Sequence, residues 1–290
     1  MEKVLVYGGS GFLGSYLVDE LVKNKYDVWV ADIKKPEQKV NYVHCNILDR
    51  ENVNDIQTSN KFDFVYNLAG FANLDDAAEH PFETIQLNVI GNLNILDACV
   101  KNKVKRFIYA SSAYAMSNKG SYYGISKLTS EKIIEEYHKN YNLPFTILRF
   151  GSVYSEKNFY NNYIYHLIDG AIKNKTIIHE GDGEEIREYI HALDAASLSV
   201  MILKNLQFEN QHLVLTGTER MKRIELFKMI SEILNNEIKI ELKTDGYHNH
   251  YKFTPYSYQP SVSKKLTANP FIDLGQGILE CIHAVTKNAK

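Results

Sequence analysis

The strongest constraint in the chain lies in its first turn. A short apolar run, Val4–Tyr7, breaks into Gly8-Gly9-Ser10-Gly11-Phe12-Leu13-Gly14, and Leu13, Leu17 and Leu21 then recur at four-residue spacing up to Lys23. A buried strand that ends in glycines and passes directly into a helical period reads as strand, tight turn, helix. Glycine allows the turn, lets backbone approach a ligand closely and lets helix pack on sheet. The free N–H groups at the helix start then form a natural seat for phosphate.

The pattern repeats. Val28–Ala31, Asn41–His44, Phe62–Asn67, Phe107–Ser111 and Phe145–Phe150 read as further strands, with helical patterns between them, notably Pro81–Asn102 and Tyr123–Asn140. Alternation of this kind means parallel strands joined by crossover helices, and nearly continuous apolar strands fit a sheet covered on both faces. The expected fold is α/β: a Rossmann-type doubly wound parallel sheet in residues 1–151 and a smaller C-terminal substrate-binding domain formed mainly by 152–290. A segment near 186–218 is expected to return to the first domain, and a ligand cleft is expected between the two. Gly246–Ser263, which mixes Tyr, His and Pro, reads as a long surface loop.

Bulk properties narrow the partners. With 33 Lys and Arg against 35 Asp and Glu the chain has no basic excess for nucleic acid. Its three cysteines, Cys45, Cys99 and Cys281, are scattered and not spaced as metal ligands, which fits a reduced, cytoplasmic protein without a metal site. The close pair His248 and His250 reads as solvated loop rather than a metal site. The apolar run after Met1 is too short for a signal peptide, and no stretch is long and apolar enough to predict a membrane span.

Asp32 ends the second strand. A carboxylate there can accept the hydroxyls of an adenosine ribose and would repel a 2′-phosphate, so NAD is favoured over NADP, with Lys34 and Lys35 pulling the other way. After the third strand, Asn46 and Ile47 can flank an adenine ring.

The chemistry is expected from Tyr123 and Lys127. Four residues apart, they share a helix face. A neighbouring ammonium stabilises a phenolate and brings tyrosine into useful acid–base range. In a chain with 20 Tyr this spacing is weak alone; Tyr122 is a decoy, because Ser126 stands four residues after it. A serine at the end of the fifth strand, Ser111 or Ser112, lies where doubly wound sheets place ligands and can bond the oxygen that exchanges a proton.

Taken together, Gly8 to Gly14, Asp32, Asn67-Leu68-Ala69-Gly70, Asn88-Val-Ile-Gly91-Asn, Ser111-Ser112, Tyr123-x-x-x-Lys127 and Leu148-Arg149-Phe150-Gly151-Ser152-Val153-Tyr154 resemble the extended short-chain dehydrogenase/reductases, in particular the nucleotide-sugar epimerase/dehydratase family, UDP-glucose 4-epimerase among them. The likeness continues through Gly181 to Ala196 and reaches Ser263–Leu266 and Gly277-Ile278. It implies NAD as cofactor, a nucleoside-diphosphate sugar as partner and hydride transfer at carbon 4 through a 4-keto sugar, in the making of bacterial surface polysaccharides. It selects Ser112 over Ser111, giving Ser112, Tyr123 and Lys127 as the catalytic set. It implies cofactor contacts from Gly8, Gly11, Phe12, Leu13, Gly14, Asp32, Asn46, Ile47, Leu68, Ala69, Gly70, Asn88, Ala110, Tyr123, Lys127, Phe150 and Val153. Substrate contacts are implied for Asn73, Ser112, Tyr123, Ser152 and Arg187, the last through a planar fork suited to a diphosphate; the simpler reading of Arg187 is a salt bridge to Glu185 or Glu188. A homodimer through two helices per subunit is also implied.

The chain departs from the family in places. Ala113-Tyr114 stands where the dehydratases carry an Asp-Glu pair, which removes the acid and base for water elimination. The run from Ser112 to Tyr123 is short, Asn46 replaces an Asp, Ser152 an Asn, and the C-terminal loop lacks the family's arginine, for which Lys252 or Tyr256 could substitute. A 4-epimerase and a net 4-dehydrogenase share the same first step. A 4-keto sugar reductase, an enzyme of lipid-like alcohols and a non-catalytic NAD sensor or scaffold are the alternatives.

Overall fold

The computed structural model describes residues 1–243, Lys252, Pro255, 264–267 and 272–288. Apart from Lys252 and Pro255, the loop read at Gly246–Ser263 lies outside the described residues, and so do Tyr256, His248 and His250.

The chain opens with β1 (Lys3–Tyr7), α1 (Phe12–Lys23), β2 (Asp27–Asp32) and β3 (Asn41–His44). Helix α2 (Arg50–Asn60) leads to β4 (Phe64–Asn67), and α3 (Leu74–Glu79), α4 (Pro81–Ile85) and α5 (Gly91–Lys101) lead to β5 (Arg106–Ser112). Helix α6 (Ser121–Tyr141) then precedes β6 (Phe145–Phe150) and β7 (Ser152–Tyr154). The remaining elements are α7 (Tyr163–Asn174), β8 (Thr176–Glu180), β9 (Ile186–His191), α8 (Ala192–Met201), β10 (Gln211–Thr216), β11 (Arg220–Lys222), α9 (Arg223–Ile233), β12 (Lys239–Lys243), β13 (Lys264–Thr267) and α10 (Leu274–Asn288).

Eight strands form one sheet in the order β13-β10-β6-β5-β4-β1-β2-β3, every pair parallel. The chain leaves β1 toward β2 and β3, then crosses back to β4 on the other side. That reversal opens a crevice at the strand ends beside β1. The expected doubly wound fold is therefore present, with β10 and the late edge strand β13 extending it. Val4, Leu5, Val6 and Tyr7 of β1 and the whole of β6 are buried, as both-face coverage requires. One core packs α1 and α8 against the sheet through Leu17, Leu21, Ala195 and Leu198. The opposite face is filled by Val53, Ile95, Leu96 and Ile134 from α2, α5 and α6. A third core, centred on Phe227, Ile168 and Ile278, joins α7, α9 and α10 to the two small sheets, β11-β9-β7 and β12-β8.

The pattern read as one helix over Pro81–Asn102 is interrupted. A π turn, Gln86–Ile90, separates α4 from α5 and contains Asn88. Such a turn re-aims side chains that a regular helix would place elsewhere. Helix α6 begins at Ser121, two residues before Tyr123, and Tyr122 is 42% exposed while Tyr123 turns inward.

Candidate functional site

The glycine turn is built as its spacing requires. Gly8 has φ +77°, and a Cβ there would come within 2.5 Å of the Ala69 nitrogen. A Cβ on Gly14 would meet the Gly8 carbonyl oxygen at 2.1 Å. These close approaches press the first turn of α1 onto the loop after β4. Gly11 caps α1 without a side-chain bond, so the helix start keeps its backbone donors.

A cavity of about 360 Å³ opens beside this turn, lined among others by Gly8, Gly11, Asp32, Asn46, Ile47, Leu68, Ala69 and Gly70. Asp32 accepts from the Ser10 and Lys34 backbone nitrogens, both at 3.0 Å, which fixes its carboxylate at the rim. Asn94 donates to the Ile47 carbonyl at 2.9 Å and ties that loop to α5. Neither Leu13 nor Asn88 is among the residues that line the groove: Leu13 is half-buried and packs against the core, and Asn88 is buried. Asn88 bonds both the Phe71 nitrogen (2.7 Å) and carbonyl (3.0 Å) and donates to Ser126 Oγ at 2.8 Å. It thereby links the loop after β4 to α6.

A second cavity, about 380 Å³, lies between the ends of β5 and β6 and the elements β7, α7, β9 and α9. Asn73, Ser112, Tyr123, Phe150, Ser152, Val153 and Arg187 all line it, so the residues expected to meet substrate come together there. Asn73 also has a local duty, capping α3 by accepting from the Asp75 and Asp76 nitrogens. Ser112 likewise accepts from the Tyr114 nitrogen at 3.3 Å. The rival serine faces away: Ser111 Oγ bonds Glu131 at 2.5 Å beneath α6. Gly124 makes the cleft compact, since a Cβ there would meet the Lys119 carbonyl at 2.9 Å and push α6 off the turn that follows Ser112. The Tyr114 ring meets Tyr123 edge-on at 6.2 Å.

Lys127 is buried behind Tyr123. Its Nζ donates to the Ala110 carbonyl at 2.9 Å and sits 4.9 Å from the Tyr109 ring centre and 5.8 Å from that of Tyr123. Burial pushes its ammonium down to about 8, with Glu131 opposing the shift. The cation is thus held against the phenol as the sequence pattern predicts, and Ala110 contributes its carbonyl to that arrangement.

The cleft has a second arginine that the sequence reading missed. Arg223, at the start of α9, lines it with Arg187, and its guanidinium lies 4.2 Å from the Tyr163 ring centre. Strand pairing sets Met221 opposite Arg187, so Arg223, two residues on, comes to the same side of the small sheet. A cation in the first turn of a helix opposes the helix dipole, and that local misfit was the available signal. Of the acids in the simpler reading of Arg187, Glu185 bonds His179 at 3.2 Å, and Glu188 meets Lys265 at 2.6 Å and Arg220 at 3.6 Å. Lys252 pairs with Asp182 at 2.8 Å and is not among the residues that line the cleft.

Residues 155–162 form a bridge between groove and cleft. Phe159 stacks on Phe12 at 5.5 Å, Tyr16 Oη bonds Glu156 at 3.0 Å, and Tyr160 Oη reaches across to Asp76 at 2.7 Å. His191, 3.3 Å away, is the main cause that holds the Glu156 carboxyl down at about 2. Among the described residues, no helix is long and apolar enough to cross a membrane.

Comparison with known proteins agrees with this geometry. The profile of the NAD dependent epimerase/dehydratase family matches residues 4–215. A Methanocaldococcus jannaschii protein provisionally named as a UDP-glucose 4-epimerase is 28% identical, over 98% of this chain and 99% of its own length. The Bacillus cereus UDP-glucuronic acid 4-epimerase, solved with UDP-glucuronic acid and NAD, superposes with a TM-score of 0.85 at 21% identity, over 99% of each chain. The Thermotoga maritima UDP-glucose 4-epimerase, solved with UDP-glucose, gives 0.83 at 23% identity, over 99% of this chain and 100% of that one. At such identities the two structures establish a shared fold.

Proposed function

Since the chain belongs to the NAD-dependent epimerase/dehydratase family, we propose that it is a 4-epimerase of a nucleoside-diphosphate sugar that uses NAD. The observation that carries this reading is the convergence of Ser112, Tyr123, Arg187 and Arg223 on one cleft, with Lys127 buried behind the phenol. The glycine turn and the start of α1 suit the cofactor's diphosphate, Asp32 its adenosine ribose, and Asn46 and Ile47 its adenine. Leu68–Gly70, Phe150 and Val153 carry the groove toward Tyr123. The close-packed backbone at Gly8 and Gly14 fits that use, because a Cβ at either position would collide with neighbouring backbone and distort the turn.

In this reading Arg187 and Arg223 hold the sugar nucleotide by its diphosphate, with charge-assisted bonds from two planar forks. Ser112 Oγ holds the oxygen on carbon 4. The Tyr123 phenolate, stabilised by Lys127, takes the proton from that hydroxyl. When bound, NAD supplies the acceptor for the hydride from the same carbon. The 4-keto sugar would turn within the cleft, where carbon 4 takes the hydride back on its other face and Tyr123 returns the proton to the oxygen, which gives the epimeric alcohol with NAD restored. Ala113 is buried and Tyr114 packs against Tyr123, so the positions that would serve water elimination hold no carboxylate.

The test is incubation with UDP-glucose, UDP-galactose and UDP-glucuronic acid, following the carbon-4 epimers by NMR and the reduced-nicotinamide absorbance together. Epimer formation with no net reduction is expected. A stoichiometric reduced-nicotinamide signal with a keto product would replace the epimerase by a dehydrogenase. The same reading takes the chain to be a homodimer. Tyr122, Ile125 and Leu128 make an exposed stripe at three-residue spacing on α6, with Ile90 also exposed nearby in sequence to α5. Ile125→Glu should yield monomers in sedimentation; an unchanged mass would remove that interface.

A further inference from the structure

The chemistry above makes no use of the buried carboxylate one turn beyond Lys127. Glu131 on α6 is fully buried. It accepts from Arg149 Nε at 2.9 Å and Nη2 at 2.6 Å, and from Ser111 Oγ at 2.5 Å. His212 of β10 places Nδ1 3.6 Å from the same carboxylate and Nε2 3.0 Å from Glu135. The titratable and charged groups around it are therefore Arg149 from β6, His212 from β10, Tyr109 from β5, and Tyr123, Lys127 and Glu135 from α6 itself.

We propose that Glu131 is a positioning residue of the reaction: it clamps the end of β5 to α6 and sets a buried carboxylate one helical turn behind Lys127, on the element that carries Tyr123. The inference rests on the functional reading just given. The geometry has two parts. Consecutive residues of β5 are tied to side chains one helical turn apart, Ala110 to Lys127 and Ser111 to Glu131. Successive strand residues face opposite ways, so anchoring Ser111 beneath α6 turns Ser112 toward the cleft and Tyr123. Electrostatics supplies the other part. A buried ammonium is driven to lose its proton, and Glu131 is the charge that opposes this at Lys127. Burial alone would raise the Glu131 carboxyl, yet Arg149, His212 and Ser111 hold it down to about 2, so it remains an anion across the working range.

A merely structural ion pair would affect folding and kcat but not the titration of Lys127. The experiment follows Lys127 by NMR of isotope-labelled lysine ε-carbons, assigned with K127R, alongside the pH profile of kcat with the UDP-sugar panel. In E131Q, Lys127 should titrate about one pH unit lower, a tenfold change in its protonation constant. The alkaline limb of kcat should move with it, while KM stays within about twofold. Should E131Q not fold, the double variant E131Q/R149M removes both buried charges at once, which folded interiors tolerate better than a lone charge; it should show a smaller shift in the same direction, because the opposing Arg149 charge goes too. R149K keeps the charge but loses the bidentate fork, so kcat should fall with the limb in place. A Lys127 titration equal to wild type in a folded E131Q or double variant overturns the inference while wild-type turnover leaves the function standing. Absence of wild-type turnover with every sugar nucleotide overturns the functional reading, and the catalytic role of Glu131 with it.

Discussion

The cofactor groove and the sugar cleft are neighbours built on opposite plans. The groove is lined mainly by short stretches at or just after strand ends, Gly8 to Phe12, Asp32, Asn46-Ile47 and Leu68–Gly70, with Glu83, Gln86 and Leu87 beside them from α4 and the π turn. The cleft is made of side chains drawn from α3, β5, α6, β7, α7, β9 and α9, separated by up to 151 positions from Ala72 to Arg223. A ligand met by backbone demands glycine at set spacings. A ligand met by side chains demands only that they arrive together, which topology decides.

Substitutions and pH should act on groove and cleft separately. The largest effect should come from the cleft: Tyr123→Phe, which removes the phenol and keeps the ring, should lower kcat by about 10³-fold in the epimer assay. Binding of NAD and UDP by calorimetry should be unchanged. A loss under tenfold would move the proton transfer elsewhere. In the groove, Gly14→Ala places a Cβ against the Gly8 carbonyl oxygen and should cost about 3 kcal/mol. The rise in Tm on adding NAD should disappear with it; a normal rise would show that the turn can relax. Arg223→Gln and Arg187→Gln should each weaken UDP binding by about 10- to 100-fold, from the loss of a charge-assisted contact. NAD affinity should be untouched, and a matching loss of NAD affinity would mean that the two regions are not separate.

The fourth prediction concerns pH. Lys127 falls from its ordinary 10.5 to about 8 in the folded protein. Activity that needs the cation should therefore decline by a factor of about ten per unit above pH 8. Stability moves the other way. Between pH 8 and 10.5 the unfolded chain binds a proton at this lysine that the folded chain has released, so rising pH favours the folded state. Denaturation midpoints and kcat measured over that window should diverge, and K127M should lose this group's contribution to the trend. The smallest effect belongs to the bridge: Tyr160→Phe, at a side chain 70% exposed, should leave kcat alone and speed NAD exchange severalfold. An unchanged exchange rate would make the Asp76 contact incidental.

Legibility in the sequence follows the same division. The strands of the first half, the glycine turn, Asp32 and the Tyr123–Lys127 spacing were readable because each is local and its spacing is fixed by backbone geometry. Ser112 against Ser111 needed a family resemblance, since adjacent strand residues differ only in the face they take. The π turn at Asn88 was hidden because an inserted residue leaves the apolar period almost intact. Arg223 was missed for a different reason: it enters the cleft only because β11 pairs with β9, and nothing between residues 187 and 223 announces that pairing. Lys264–Thr267, four residues with two lysines, gave no strand signal, although it closes one edge of the large sheet.

The bridge at residues 155–162 has an economic meaning for a cell. It lies across the junction of the two regions, pinned on one side by Phe12 and Tyr16 and on the other by Asp76. A coenzyme lying beneath it would leave only after several contacts opened together, so it would behave as a resident part of the catalyst rather than a circulating carrier. Such a protein would not sample the ratio of oxidised to reduced nicotinamide around it. In a 4-epimerase, as proposed above, the rate would then follow the supply of sugar alone and stay deaf to the metabolic state that governs ordinary dehydrogenases.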